Sequence, residues 1–281
     1  MWTMRSHFVL CAALALASGQ AAPQTAVNDP PDPETPIWTK LKSSLFANRP
    51  MSADALELTA PARAEDGAVV PIAIRARFPQ TPERYIKRLY LIVDNNPSPI
   101  AAMIDLTPES GRADIETRIR VEQYSYVRAV AELSGGSLAA QARFVKASGG
   151  CSAPAGSDSA AAGRIGRMRL AVGGSGAYSE PTVAQLFVNH PNHSGLAMDQ
   201  LTRLYTPAYF VRSVKVSYAG KPVFTAEVDF SISENPYFRF YFVPDAPGDL
   251  KAEVIDTKEL KFEAAVAVLR SASRVQSRPA P

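Results

Sequence analysis

The chain has 281 residues, with 30 Lys and Arg against 27 Asp and Glu, for a formal net charge of +3. That balance excludes the strongly basic footprint of a nucleic-acid binder. Only two cysteines and three histidines are present, so the usual nucleophile, base and metal-ligand sets are short of parts; a protein that is not an enzyme and needs no cofactor is expected.

Residues 1–21 read as a signal peptide. Arg5 opens a short polar start, Phe8 to Ala17 is an apolar run, and Gly19-Gln20-Ala21 offers small residues for cleavage. The run is short of the ~20 apolar residues that span a membrane, and a retained anchor is the alternative. The mature chain is expected to be soluble and periplasmic, with no membrane contact after cleavage. Residues 22–34 are an extended lead-in rich in Pro and Asp.

Thr35 to Phe46 has the spacing of a short amphipathic helix, with Trp38, Leu41 and Leu45 on one face and Pro36 in the first turn. From Leu56 the period changes to two. Strands are predicted at Val69–Arg75, Tyr85–Asp94, Ile100–Leu106, Ala113–Val121, Val127–Leu133 and Leu138–Lys146, the last two flanking a Ser134-Gly135-Gly136 turn. The second half repeats the style at Arg167–Val172, Thr182–Asn189, Phe210–Tyr218, Pro222–Phe230, Tyr237–Val243, Leu250–Asp256 and Leu260–Leu269, with a tight hairpin at Ala219-Gly220. No long helical period separates the strands. The fold class is therefore all-β, two immunoglobulin-like sandwiches in tandem, spanning 35–147 and 165–270, with a polar tail at 271–281.

Residues 148–164 form the joint. Ser148-Gly149-Gly150-Cys151 is followed by Ser, Ala, Gly and Pro with one Asp, the composition of a flexible tether. Cys11 leaves with the signal, so Cys151 is an unpaired exported thiol, which implies an intermolecular partner or a reactive sulfur. A core position is not expected for it; it would be presented on a swinging arm built on Gly149 and Gly150.

These pieces resemble the two subunits of the SoxYZ sulfur carrier. The first half is similar to SoxY in Trp38 with Leu45-Phe46, Ala64-Glu65-Asp66-Gly67-Ala68-Val69-Val70-Pro71, Asp94-Asn95-Asn96-Pro97-Ser98-Pro99, Thr117-Arg118-Ile119-Arg120-Val121, Val127 to Glu132, and Gly149-Gly150-Cys151. The second is similar to SoxZ in His190-Pro191 with Gly195, Pro207-Ala208-Tyr209-Phe210 and Ser231-Ile232-Ser233-Glu234-Asn235-Pro236. The order resembles the fused SoxYZ-like carriers associated with quinoprotein dehydrogenases. The resemblance implies that Cys151 carries sulfur intermediates covalently between partner redox enzymes, as in thiosulfate oxidation. The family's cysteine ends a free Gly-Gly-Cys-Gly-Gly tail, whereas here Ser152-Ala153-Pro154 continue the chain. An arm tied at both ends is expected to have less reach.

Two other readings stay open. The chain could be a non-covalent module docking on a quinoprotein dehydrogenase or its cytochrome, or a metal-delivery protein using His190, His193 and Cys151. A turn whose histidines, His190 and His193, contact the docked arm is the favoured reading over a metal site. Gly173-Gly174-Ser175-Gly176 lacks the Lys-Ser/Thr of a phosphate loop and reads as an interstrand loop. Arg118, Arg120 and Arg128 sit on alternating strand positions, where a solvated face is expected unless they gather around an anion. Asn96-Pro97 and Asn235-Pro236 read as turns.

Overall fold

The computed structural model describes residues 33–154, 163–173, 178–199 and 202–269. The signal peptide, most of the lead-in, the residues from 155 to 162, Gly174-Ser175-Gly176 and the tail lie outside the described residues. Among the described residues one α-helix, α1 (Pro36–Phe46), precedes fifteen strands. They are β1 (Met51–Ser52), β2 (Leu56–Thr59), β3 (Val70–Ala76), β4 (Ile86–Val93), β5 (Ile100–Leu106), β6 (Ile115–Ile119), β7 (Ser125–Leu133) and β8 (Leu138–Val145) in the first half. The second half supplies β9 (Met168–Val172), β10 (Thr182–Val188), β11 (Val211–Tyr218), β12 (Lys221–Val228), β13 (Tyr237–Phe242), β14 (Gly248–Asp256) and β15 (Lys261–Val268). Among the described residues no helix is long and apolar enough to cross a membrane.

Alternation makes these strands. In β13, Phe238, Phe240 and Phe242 are buried while Tyr237, Arg239 and Tyr241 are half-exposed, the signature of one face turned to a core. The β11–β12 hairpin turns on Ala219 and Gly220 with φ of 46° and 81°, both in the left-handed region that matches strand twist.

The chain is all-β in open sandwich sheets, as expected, and more than the linker joins the two halves. Their sheets join edge to edge. The nine-stranded sheet runs β1-β8-β7-β4-β5-β12-β11-β14-β15, and the six-stranded sheet runs β2-β3-β6-β13-β10-β9. At the seam β5 pairs antiparallel with β12 from Leu106↔Phe224 to Ala102↔Val228. In the facing sheet β6 meets β13 at Glu116↔Arg239, where the side chains form an ion pair of 2.7 Å. A single core of buried residues runs from Ala55 to Val268 between the layers. Each of the two joins removes two sheet edges from water and from other chains.

Helix α1 closes the outer face of the first half. Thr35 caps it by accepting from the Trp38 N–H at 3.1 Å, and Trp38 and Phe46 pack on Tyr90, Ile92, Val130, Leu138 and Ala140. This cover explains why β4 and β7 are buried on both faces, and it overturns the solvated reading of Arg128. That residue is 1% exposed. Its Nε and Nη2 each donate to the Asp94 carboxylate at 2.7 Å, and its guanidinium lies 4.6 Å from the Trp38 ring centroid. Arg118 keeps a half-exposed place over the Tyr237 ring. Arg120 is buried elsewhere, at the joint between the halves.

Candidate functional site

The expectation that Cys151 is exposed on a free tether is corrected: it is 0% exposed. The arm lies in a seat at the seam. Its first half lies along the residues that follow β6. Gly149 N–H donates to Glu122 O at 2.9 Å and Gly150 N–H to Val121 O at 3.0 Å, while Val121 N–H donates to Gly67 O at 2.8 Å. The glycines serve this docked state in two ways. Gly149 has φ +74°, and a Cβ on Gly150 would stand 2.0 Å from Gly67 O and 2.5 Å from Gly67 C. Closeness to another backbone therefore demands glycine at 150.

One carboxylate clamps the arm's far side. Glu122 Oε2 accepts from the N–H groups of Cys151 and Ser152 at 2.8 and 3.1 Å, and Oε1 accepts from the Ser152 hydroxyl at 2.9 Å. Charge-assisted bonds of this kind are the stronger ones. Arg120 bridges the halves, donating from Nη1 to Gly150 O and from Nη2 to Asn192 O, both at 3.1 Å. From the second half, the Ser194 hydroxyl donates to Cys151 O in a short hydrogen bond. Asn96 completes the frame: its amide donates to Arg120 O at 2.8 Å and to Ser231 Oγ at 3.0 Å, and its carbonyl accepts from Glu122 N–H at 2.9 Å.

The electrostatics silence the docked thiol. Burial pushes Cys151 up to about 12, and the Glu122 carboxylate adds to the rise; Arg120 and a hydrogen bond with Ser231 pull the other way. A thiol held there is protonated near neutrality and is neither a nucleophile nor a ligand. At 0% exposure the sulfur meets another molecule only when the arm leaves its seat.

The loop from His190 to Ser194 meets the arm directly through Ser194 and, by way of Arg120, through the Asn192 carbonyl. His190 serves the loop itself. Its Nδ1 accepts from Asn192 N–H at 3.1 Å, its Nε2 faces Asp256 Oδ2 at 3.6 Å, and its ring packs edge-on against Tyr209. Burial holds its pKa below the ordinary value. His193 is half-buried; burial first, and then the Arg120 charge, lower its pKa. The trio His190, His193 and Cys151 is not gathered: among the described residues no three His, Cys, Asp or Glu are placed to hold a metal. Asn96 and Ser231 lie in stretches that resemble SoxY and SoxZ, whereas nothing local marks Glu122 or Ser194 for contact with the arm.

The chain matches the family models "Sulfur oxidation protein SoxY" over residues 42–151 and "Sulphur oxidation protein SoxZ" over residues 174–267. None of the curated proteins matches the chain. Similar solved structures include the sulfur carrier protein SoxY from Chlorobium limicola f thiosulfatophilum, at 23% identity over 39% of this chain and 90% of that one, TM-score 0.31. A superoxide reductase (neelaredoxin) from Ignicoccus hospitalis is 10% identical over 39% of this chain and 90% of that one, TM-score 0.30. The fibronectin(III)-like modules of Clostridium thermocellum CbhA are 10% identical over 80% of this chain and 100% of theirs, TM-score 0.23. Since the two family matches follow one another along a single polypeptide, and the first ends on Cys151 itself, the chain belongs to the fused SoxYZ type, a SoxY domain followed by a SoxZ domain.

Proposed function

We propose that this chain is a periplasmic carrier, not a catalyst, which holds a sulfur-containing group on Cys151 Sγ and presents it to Sox-type redox enzymes. The observation that carries this is the seat. The SoxY match ends on Cys151, whose backbone is held by reversible hydrogen bonds to both halves, so that the thiol is silent while docked and competent once released. Joining a thiol to thiosulfate forms an S–S bond and releases two electrons and one proton. A partner redox enzyme takes the electrons, and the chain supplies the sulfur and the mount.

Intact mass of the protein purified from cells without reductant tests the reading. A reducible adduct on Cys151, in steps of ~32 Da for sulfane sulfur or ~112 Da for thiosulfate, and loss of function in Cys151→Ser are expected. A fully alkylatable thiol in cells oxidising sulfur compounds, with Cys151→Ser fully functional, would favour instead a module docking on a quinoprotein dehydrogenase or its cytochrome.

A further inference from the structure

Two arginines are buried in the first half, and their charges are answered differently. Arg128 receives the Asp94 carboxylate on two of its nitrogens. Arg120, 2% exposed, spends Nη1 and Nη2 on neutral carbonyls, and its Nε has no hydrogen-bond partner. Among the described residues no carboxylate pairs with it at ion-pair distance. The carboxylate of the seat, Glu122, is occupied by the N–H groups and hydroxyl of the arm.

A guanidinium does not give up its proton in proteins, and a buried charge without a counter-ion is among the costliest arrangements a fold can hold. Such a cation is suited to an anion that is present for only part of the working cycle. The place for that anion is beside Cys151: Nη1 is bound to the carbonyl directly before it, and a negative charge on its sulfur would favour the Arg120 cation more than the carboxylates of Glu234 and Asp66 do.

We propose that Arg120 is the subsite for a negatively charged group on the Cys151 sulfur, of the S-thiosulfonate or persulfide class. A loaded arm then returns to its seat more firmly when its cargo is anionic than when it is neutral. This rests on the carrier reading for the cargo's identity, but the test below does not.

The purified protein is loaded in two ways. With tetrathionate, the Cys151 thiolate attacks a central sulfur, forming Cys–S–S–SO3⁻ and expelling thiosulfate. With methyl methanethiosulfonate it forms the neutral Cys–S–S–CH3 and expels methanesulfinate. Release of each adduct by dithiothreitol is timed in the wild type, Arg120→Gln and Arg120→Lys, so that the intrinsic reactivity of each adduct cancels in the ratios. The wild type is expected to protect the anionic adduct over the neutral one by about tenfold more than the Gln variant does, the scale of close charge pairs held away from water. The Lys variant should keep most of that preference. Equal ratios in all three proteins would overturn the proposal. If the Gln variant does not fold, the wild-type melting temperatures decide: the anionic adduct must melt above the neutral one, and an equal or lower value overturns the subsite. Failure here leaves an adduct found in cells standing, and absence of a cellular adduct leaves this charge preference measurable.

Discussion

Replacing Gly150 with Ala isolates the seat from the rest of the fold. The docked arm from Gly149 to Ser152 is held by two backbone bonds to Val121 and Glu122, three bonds to the Glu122 carboxylate, one from Arg120 and one from Ser194. At about 1 kcal/mol net for each, these seven bonds supply roughly 7 kcal/mol. Ordering the four residues costs about 1–2 kcal/mol apiece, or roughly 4–8 kcal/mol. The seat is therefore balanced to within a few kcal/mol, and one methyl is enough to upset it. The new Cβ would lie 2.0 Å from Gly67 O and 2.8 Å from Val121 N. Both atoms belong to backbone already bonded to each other at 2.8 Å, so neither can give way. Released, the thiol falls from about 12 toward the ordinary ~8.5, which raises its thiolate fraction at pH 8 by about 10³. Stopped-flow reaction with an aromatic disulfide between pH 6 and 11 measures this. Since the seat holds at most about 3 kcal/mol of net stability, Gly150→Ala should react up to about 10²-fold faster than wild type, with near-UV circular dichroism unchanged. The wild type also has a signed pH profile. Docking keeps the thiol protonated, so its stability is complete below the ordinary thiol value and lost as pH rises toward about 12, by up to about tenfold per unit. A folded Gly150→Ala protein reacting at the wild-type rate would refute the account of the seat.

Glu122→Gln removes the clamp's charge and Ser194→Ala the second half's grip. Each should raise wild-type thiol reactivity by about 5- to 30-fold, equivalent to about 1–2 kcal/mol of lost hydrogen bonding, in the same stopped-flow assay. Asp94→Ala strands the buried Arg128 beneath α1 and should cost about 3–5 kcal/mol, read as a fall in melting temperature of roughly 10 °C together with a changed Trp38 fluorescence.

Most strands were legible because each obeys a local rule. The Phe238, Phe240, Phe242 alternation, the Ala219-Gly220 turn and the apolar face of α1 are all written within about ten residues of themselves. The seam was not. β5 and β12 pair across more than a hundred positions of sequence, and neither strand carries a mark naming its neighbour. The arginines failed for a related reason. Alternation assigns Arg120 and Arg128 to a face but cannot say what covers that face, and here α1 and the second half do. The Gly149-Gly150 pair exposes a limit of composition itself. Glycine means freedom in a tether and closeness in a tight contact, and only the 2.0 Å approach to Gly67 separates the two at position 150.

That correction changes what the fused chain does to the arm's reach. Upstream, the root is fixed: Ala147 is buried at 3% exposure, and Lys146 is bonded to Ala62 and bridged to Arg63. From Ala147 to Cys151 there are only four steps, so the sulfur travels no more than ~14 Å from its root. Downstream, the twelve residues from Ser152 to Gly163 span up to ~40 Å when extended. On contour length alone the upstream side is the shorter and limits travel first. What the connection to the second domain adds is bulk: a second strand of backbone leaves the cysteine, and a partner must admit both. A groove open along its length accepts such a loop, whereas a narrow tunnel made for a chain end does not. Inserting about ten Gly and Ser residues between 157 and 158 should then leave transfer of a Cys151-bound group to a Sox-type enzyme within about twofold of wild type, because slack is added on the side that is not limiting. Cutting the chain there at an engineered protease site should speed transfer to a tunnel-shaped partner by far more. If lengthening accelerates transfer as much as cutting does, reach rather than bulk is the constraint, and the four-residue root is not the limiting side.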